Sequence, residues 1–465
     1  MSFRPLPGRR LSGRPAGQML AGSMLVCLGL AGCASPDDVT GSLAGPSTVA
    51  ASARTAAPAP SRPASRPAPA AASGTSTHPA MTDAALARDE RNFSACIAEM
   101  EPKARAKGVS AAAFRRYTAG LTPDMSIMKK LETQPEFTRT AGDYVEMLVS
   151  ETRIRKGREA MAEHAAVFEA VGKTYGVDPY VVAAIWGIET NYGGARGSYP
   201  VLRATGTLAC VGRRKAYFRD EFVAALGIVA RGDIPETHLK GSWAGAFGLT
   251  QFMPTAFQRD AVDFDSDGHA NVVDSVADAM GSTANKLKRG GWRPGMSWGY
   301  EVVLPRGFDY LLADKHKAKT MRDWWALGVR RPEGRAMPRA SETAYLLLPA
   351  GANGPAFLMT DNFKAILRYN PADAYALAIG HLADRIRGGD PFVQPWPDDV
   401  RALSRTERTE LQRRLASRGY DVGPVDGVLG QSTRSAVRDY QVRVGLLPDG
   451  MATGTVLDSL RSDGT

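Results

Sequence analysis

Between Ala95 and Tyr192, apolar residues recur every three or four positions. The spacing predicts helices over Ala95 to Ala106, Glu151 to Tyr175 and Pro179 to Tyr192, with breaks at Gly108-Val109 and Gly176-Val177. The last of these segments has sharp ends in the sequence. Pro179 suits a first helical position, and Gly193-Gly194 suits a stop. Val181, Val182, Ile185 and Glu189 fall on one stripe, so a carboxylate shares a face with aliphatic side chains. A carboxyl in such surroundings resists ionisation and can hold its proton at neutral pH. That property serves a general acid in glycoside cleavage. It serves equally a core glutamate paired with an arginine or capping a neighbouring helix, and the stripe alone does not separate the two.

Elsewhere the apolar pattern changes character. Residues 1–33 carry a basic start (Arg4, Arg9, Arg10, Arg14) and an apolar run from Met19 to Leu30, too short to span a bilayer permanently. The run ends Leu30-Ala31-Gly32-Cys33, which resembles the bacterial lipoprotein signal, whose cysteine becomes the acylated first residue; an ordinary signal peptide is the alternative. Ala34 rather than Asp follows, and in that family this implies passage to the outer membrane, facing the periplasm. Residues 34–84 are dominated by Ala, Pro, Ser, Thr and Gly and cannot bury enough apolar surface to offset chain entropy, so they read as a mobile tether. The remainder divides into a large body over 85–395 and a small unit over 400–463, separated near Pro395-Trp396-Pro397.

Charge changes the picture little. Without the four leader arginines, 54 basic residues of the 58 in the chain stand against 48 acidic ones. This mild excess suits an acidic cell-wall polymer, and no basic-aromatic run or Cys/His spacing supports a nucleic-acid module. Of four cysteines, Cys27 leaves with the leader and Cys33 takes the lipid. Cys96 and Cys210 remain as an even pair in an oxidising compartment, which predicts one disulfide between them; two separately buried thiols are the alternative.

The segment Lys240 to Pro254 is dense in small residues, interleaved with Trp243, Phe247, Phe252 and Met253. It fits either a packing loop or a saccharide-binding loop, with Ser242 and Gln251 supplying neutral hydrogen-bonding groups. Four motifs then recur in one order: Ile185-Trp186-Gly187-Ile188-Glu189-Thr190, Gly212-Arg213-Arg214-Lys215-Ala216-Tyr217-Phe218, Gly241 to Pro254, and Arg368-Tyr369-Asn370 with Tyr375. In order and spacing they resemble the membrane-bound lytic murein transglycosylase B family, over roughly residues 90–390. The resemblance implies a lysozyme-like, mainly α (α+β) body with a long groove and a small β element. It implies Glu189 as sole catalytic acid/base, with Ser242, Gln251, Tyr369 and Asn370 near the cleaved bond. It further implies Arg213 and Arg214 as a basic pair contacting substrate, and Tyr144, Phe252, Met253 and Tyr375 as wall residues.

With one acid, the implied chemistry is substrate-assisted. Glu189 protonates the oxygen between N-acetylmuramic acid and N-acetylglucosamine, and the 2-acetamido group supports the anomeric cation. Glu189 then takes the proton of the muramyl C6 hydroxyl, which closes onto C1 to leave a 1,6-anhydromuramyl end. No catalytic cofactor is needed. The implied partners are glycan strands and stem peptides of peptidoglycan, with the outer membrane reached through the lipid and cell-wall synthesis proteins within reach. A hydrolytic muramidase on the same groove and a non-catalytic tether between membrane and wall are the alternatives.

Two further patterns stand out. Asp263, Asp265, Asp267, Asn271 and Asp274, with Gly268 and the carbonyl of His269, follow EF-hand ligand spacing. Asp274 replaces the longer glutamate at the closing position, where Asp278 can complete the site for a structural Ca2+ or Na+; a solvated acidic turn is the alternative. Residues from about Leu403 to Leu460 resemble the three-helix peptidoglycan-binding domain family. Leu411, Leu415, Val437 and Tyr440 read as its core and Asp426-Gly427 as a turn. The resemblance implies that the loop Asp426, Gly427 to Gly430, with Thr433, borders a peptide-stem site.

Overall fold

A computed structural model describes residues 79–131, 139–397 and 401–463. The leader, Cys33 and most of the tether lie outside the described residues. Helical structure already begins at Pro79–Met81, and Met81 is buried beside Gly212, so the body starts a few residues before the expected boundary at 85. Among the described residues no helix is long and apolar enough to cross a membrane.

The body is a helical layer structure around one large core. The helix Pro179–Thr190 lies at its centre, packed by Asp373–Arg387, Glu151–Glu163, Ala165–Tyr175 and Val276–Arg289. Every residue from Val181 to Thr190 is buried. The predicted stripe is therefore a correction: the helix is covered around its whole circumference, because neighbours enclose it on all sides. Asp178 caps it by accepting the Tyr180 amide at 3.0 Å, and Pro179 occupies the first turn. It ends earlier than the diglycine predicts. Asn191 (φ 49°) and Tyr192 (φ 58°) take left-handed backbone before Gly193 does. Tyr192 folds back so that its ring lies against Gly187 and Gly157, where any Cβ would collide with it.

Two other predicted helices are each broken in two. The first becomes Phe93–Ala98 and Glu101–Ala106, the second starting with Pro102 in its first turn. The second becomes Glu151–Glu163 and Ala165–Tyr175, kinked at His164 (φ −111°, ψ 30°).

Among the described residues two sheets complete the body. Strands β1 (Tyr199–Pro200) and β2 (Lys240–Gly241) form a short antiparallel pair that starts the small-residue loop. Strands β3 (Gly299–Val302), β4 (Lys319–Thr320), β5 (Thr343–Leu347) and β6 (Ala356–Met359) make an antiparallel sheet ordered β3-β6-β5-β4. Alternation along β5 and β6 sends Tyr345, Leu347, Phe357 and Met359 into the main core. Ala344, Leu346, Ala356 and Leu358 face a second core with Trp324 and Phe308. Both faces are buried, so these strands read in sequence as unbroken apolar runs.

The C-terminal unit has helices Arg405–Ala416, Gln431–Arg443 and Gly454–Ser462 around its own core, where Leu411, Leu415, Val437 and Tyr440 are fully buried. It docks on the body through Arg438, which donates to the Ala313 carbonyl at 2.6 Å, and Asp449, which accepts the Ala352 amide at 3.0 Å.

Cys96, on the helix Phe93–Ala98, is joined to Cys210 at the end of Val201–Cys210, with a sequence separation of 114 residues. Closing a loop of that length removes unfolded-chain entropy worth up to about 4–5 kcal/mol. Replacing both cysteines by serine is expected to lower the urea midpoint by a corresponding amount. A midpoint unchanged from the parent would mean that the bond does not constrain the unfolded chain.

Candidate functional site

Glu189 sits on the last turn of the central helix, buried at 9 % exposure. Tyr375, from the helix Asp373–Arg387, donates its hydroxyl to Glu189 Oε1 at 2.5 Å. Burial pushes the Glu189 carboxyl up from 4.5 to about 7, and the Tyr375 hydrogen bond and the Lys286 charge only partly oppose it. Tyr375 is itself held far above its ordinary value, first by burial and then by the Glu189 charge, so it stays a donor.

The small-residue loop is pinned beside this carboxyl. Thr190, next to Glu189, donates to the Leu249 carbonyl at 2.6 Å, and Tyr369 donates to the Thr250 carbonyl at 2.6 Å. Thr283 Oγ1 donates to Thr250 Oγ1 at 3.0 Å. Phe247 and Phe252 exchange backbone hydrogen bonds of 2.9 and 2.8 Å, which closes the loop into a tight hairpin. A Cβ on Gly241 would meet the Ala246 carbonyl and the Phe247 backbone, so only glycine fits there. The loop is thus built by close packing and held beside the glutamate through Thr190.

The residues expected around Glu189 divide by what holds them. Tyr375 and Tyr369 belong to its immediate surroundings, and the Tyr369 ring stands edge-on to Phe252, 6.1 Å between centroids. Tyr144 is close enough to act electrostatically on Tyr375. Gln251 takes a left-handed backbone (φ 51°), and its amide donates to the carbonyls of Gly248 at 3.0 Å and Arg196 at 3.3 Å. Ser242 is buried and accepts the Ala246 amide at 3.1 Å. Met253 caps the helix Pro254–Asp260 and packs on the main core, and Asn370 accepts the Ala372 amide at 3.1 Å. Arg213 donates to the Leu131 carbonyl at 2.6 Å, and the Arg214 guanidinium lies 4.7 Å over the Tyr217 ring.

Lys286 was not foreseen. Its Nζ lies 3.4 Å from the centroid of the Tyr369 ring and 5.2 Å from that of Phe252. Burial lowers its affinity for the proton to about 8, against the opposing charge of Glu189. A sequence signal existed: Lys286 follows the buried Ala279 and Thr283 at helical spacing, an odd position for a lysine.

The acidic loop departs from the EF-hand register. Carboxylate oxygens of Asp263, Asp265 and Asp278 lie within 4.8 Å of one another. Asp278 also orders the loop by accepting amides of Phe264 at 2.7 Å and Asn271 at 2.7 Å. Asp274 is a correction: its Oδ2 lies 2.9 Å from His238 Nδ1 and accepts the Asn271 side-chain amide at 3.2 Å, which holds it outside the convergent group. Asp267 accepts the His269 amide at 2.9 Å and is not in the convergent group. Three hard oxygen donors fit Ca2+ or Na+ in kind.

In the C-terminal unit, Asp426 accepts the Val428 amide at 2.8 Å, and Gly427 (φ 79°) has no room for a Cβ beside Arg405 and Thr409. Both are accounted for by the turn. Thr433 donates to the Val422 carbonyl at 2.9 Å. Gly430 and Thr433 nevertheless line a cavity of about 390 Å³ shared with Tyr144, Asp373, Arg408 and Arg434, at the junction with the body.

Residues 92–384 match the family described as "Transglycosylase SLT domain". The chain belongs to this family. Residues 404–460 match a putative peptidoglycan binding domain. The chain is 32 % identical over 250 residues to membrane-bound lytic murein transglycosylase B of Escherichia coli K12, an alignment covering 52 % of this chain and 66 % of that protein, just under two thirds of it. SltB3 of Pseudomonas aeruginosa, in crystals with NAG-anhNAM-pentapeptide, is similar at 45 % identity and a TM-score of 0.76, over 79 % of this chain and 99 % of that one. The E. coli lytic transglycosylase Slt35 in complex with calcium is similar at 26 % identity and a TM-score of 0.53, over 64 % and 93 %. The lysozyme-like fold expected from the motifs is therefore present.

Because the folded Glu189 value lies above the ordinary one, the fold keeps a proton that the unfolded chain has lost between these two values. Stability from this group is full below about 4.5 and is lost as pH rises through about 7. Glu189→Gln is accordingly expected to raise the unfolding free energy at pH 8 by about 3 kcal/mol, with little gain at pH 4. Denaturant unfolding at both pH values checks this, and equal gains at the two would refute the proposed burial cost.

Proposed function

We propose that this protein is a lytic transglycosylase that cuts the β-1,4 bond between N-acetylmuramic acid and N-acetylglucosamine in peptidoglycan, with Glu189 as its single acid and base. The observation that carries the reading is a buried carboxyl poised near neutrality and hydrogen-bonded by Tyr375. A residue that gives a proton and then takes one back needs that poise. A retaining hydrolase would instead hold a second carboxylate about 5–5.5 Å away as nucleophile. The reading is supported by similarity to proteins named as lytic transglycosylases and by the NAG-anhNAM-pentapeptide bound to the P. aeruginosa relative.

Glu189 protonates the glycosidic oxygen, the bond to C1 breaks, and the leaving sugar departs with a hydroxyl. The substrate's acetamido oxygen supports C1 until its own C6 oxygen closes on it, and Glu189 recovers the C6 proton. Ser242, Gln251, Tyr369 and Asn370 hold ring and acetamido group, a positioning contribution. Tyr144, Phe252, Met253 and Tyr375 form the wall, and Arg213 and Arg214 contact the charged parts of the substrate. The C-terminal unit retains the enzyme on the wall through stem peptides at the cavity lined by Gly430 and Thr433. Cys33 carries the lipid that fixes the chain to the outer membrane, facing the periplasm.

Digestion of purified sacculi by the tether-free protein is expected to release anhydromuropeptides, each one water lighter than the muramidase product. Glu189→Gln should lower turnover by at least about 10³-fold with the fold intact. Water-added products would favour the muramidase reading, and near-native turnover by the variant would remove Glu189 from the chemistry.

Asp263, Asp265 and Asp278 are proposed to hold a structural Ca2+ or Na+, as supported by their convergence and by the calcium complex of the E. coli relative. The ion would supply loop stability and no catalytic step. Thermal melts of Ca2+-loaded protein are expected to fall by several degrees on chelation, and to fall little in Asp265→Asn. Identical melts with and without chelator would exclude the ion.

A further inference from the structure

Lys286 is the feature of the Glu189 surroundings that the family motifs do not account for. It projects from the helix Val276–Arg289 onto the faces of Tyr369 and Phe252, 3.4 and 5.2 Å from their centroids. Among the described residues its ammonium has no hydrogen bond or ion pair, and two aromatic faces are its contacts. The charged groups that act on it are Glu189, Asp260 and Arg259. Asp260 is already committed elsewhere, paired with Arg259 at 2.6 Å and Arg289 at 3.1 Å. The helix that carries Lys286 packs against the Glu189 helix. Tyr375 hydrogen-bonds the carboxylate, the Lys286 charge acts on it, and Glu189 in turn acts on the phenol of Tyr369, while burial raises both phenols. Glu189 and Lys286 are therefore the two groups of opposite potential charge left to balance one another in this enclosure.

Resting on the reading of Glu189 as acid and base, we propose that Lys286 is a positioning residue for the Glu189 proton. Its ammonium, held against Tyr369 and Phe252, stabilises the carboxylate formed when Glu189 protonates the glycosidic oxygen. Lys286 neither gains nor loses a proton. The proton moves from Glu189 to the leaving oxygen, the C1–O electron pair goes with that oxygen, and the C6 hydroxyl later returns a proton to Glu189. Between these two transfers Glu189 is an anion in an apolar enclosure, a state costly without a fixed cation nearby. Tyr375 alone offers one hydrogen bond to it, and the ammonium supplies the charge. The aromatic faces serve to keep the ammonium in place without a carboxylate that would neutralise it.

The test compares Lys286→Met and Lys286→Arg with the parent by two readouts. The first is the carboxyl 13C titration of Glu189, assigned by its loss in Glu189→Gln. The second is the pH profile of anhydromuropeptide release. Removing the cation should move the Glu189 midpoint upward by about one pH unit and the alkaline limb of activity with it. Turnover at neutral pH should fall about tenfold. Lys286→Arg should keep the midpoint and most of the turnover, which a packing role for the alkyl chain would not predict. Should Lys286→Met fail to fold, Lys286→Gln carries the same comparison. An unmoved midpoint in the neutral variant, or an arginine variant that behaves like methionine, overturns the proposal. Failure of the parent to form anhydro products would instead overturn the functional reading, while the titration still decides whether Lys286 acts on Glu189.

Discussion

A carboxyl enclosed by packed helices is the constraint on which the rest of this structure depends. Glu189 lies on a helix with no solvent face, and burial there outweighs both the Tyr375 hydrogen bond and the Lys286 charge in setting its proton affinity. The surrounding architecture maintains that enclosure. Asp373–Arg387 delivers Tyr375, Val276–Arg289 delivers Lys286 and Thr283, and the small-residue hairpin is tied down by Thr190 and Tyr369. A mainly structural network of threonine and tyrosine hydrogen bonds to loop carbonyls thereby becomes the wall of the proposed active site.

The same enclosure links stability to function. A glutamate held near neutrality costs folding free energy above its ordinary range, and the long disulfide-closed span and the large apolar core offset that cost. The acidic loop and the docked C-terminal unit stand outside this balance. The first orders the chain that precedes the Lys286 helix, and the second shares a cavity with Tyr144 and Asp373, so the proposed wall-binding unit borders the body at the segment that leads to Tyr375.

Much was legible in the residues because short-range chemistry made it so. Asp178 and Pro179 start the central helix as their types require, and the cores of the C-terminal unit follow helical spacing. The β sheet was not legible in its detail. Tyr345 to Leu347 and Ala356 to Met359 are apolar at every position, since one face meets the main core and the other a second core. Period-two alternation vanishes when both faces are buried. Asp274 fits the ion-loop spacing, yet its side chain is drawn to His238, a partner distant in sequence that no local pattern reveals.

Sequence alone determined the kinds of groups available: a glutamate among aliphatics, a glycine-dense loop, an even pair of cysteines and a run of aspartates, each tied to local spacing and side-chain chemistry. Tertiary structure decided which of them act together. Only packing made the Glu189 helix buried all round, brought Tyr375 from 186 residues away to its carboxylate, and set Lys286 over Tyr369. Proton affinity depends on desolvation and on charges across space, and neither quantity is a property of neighbours along the chain.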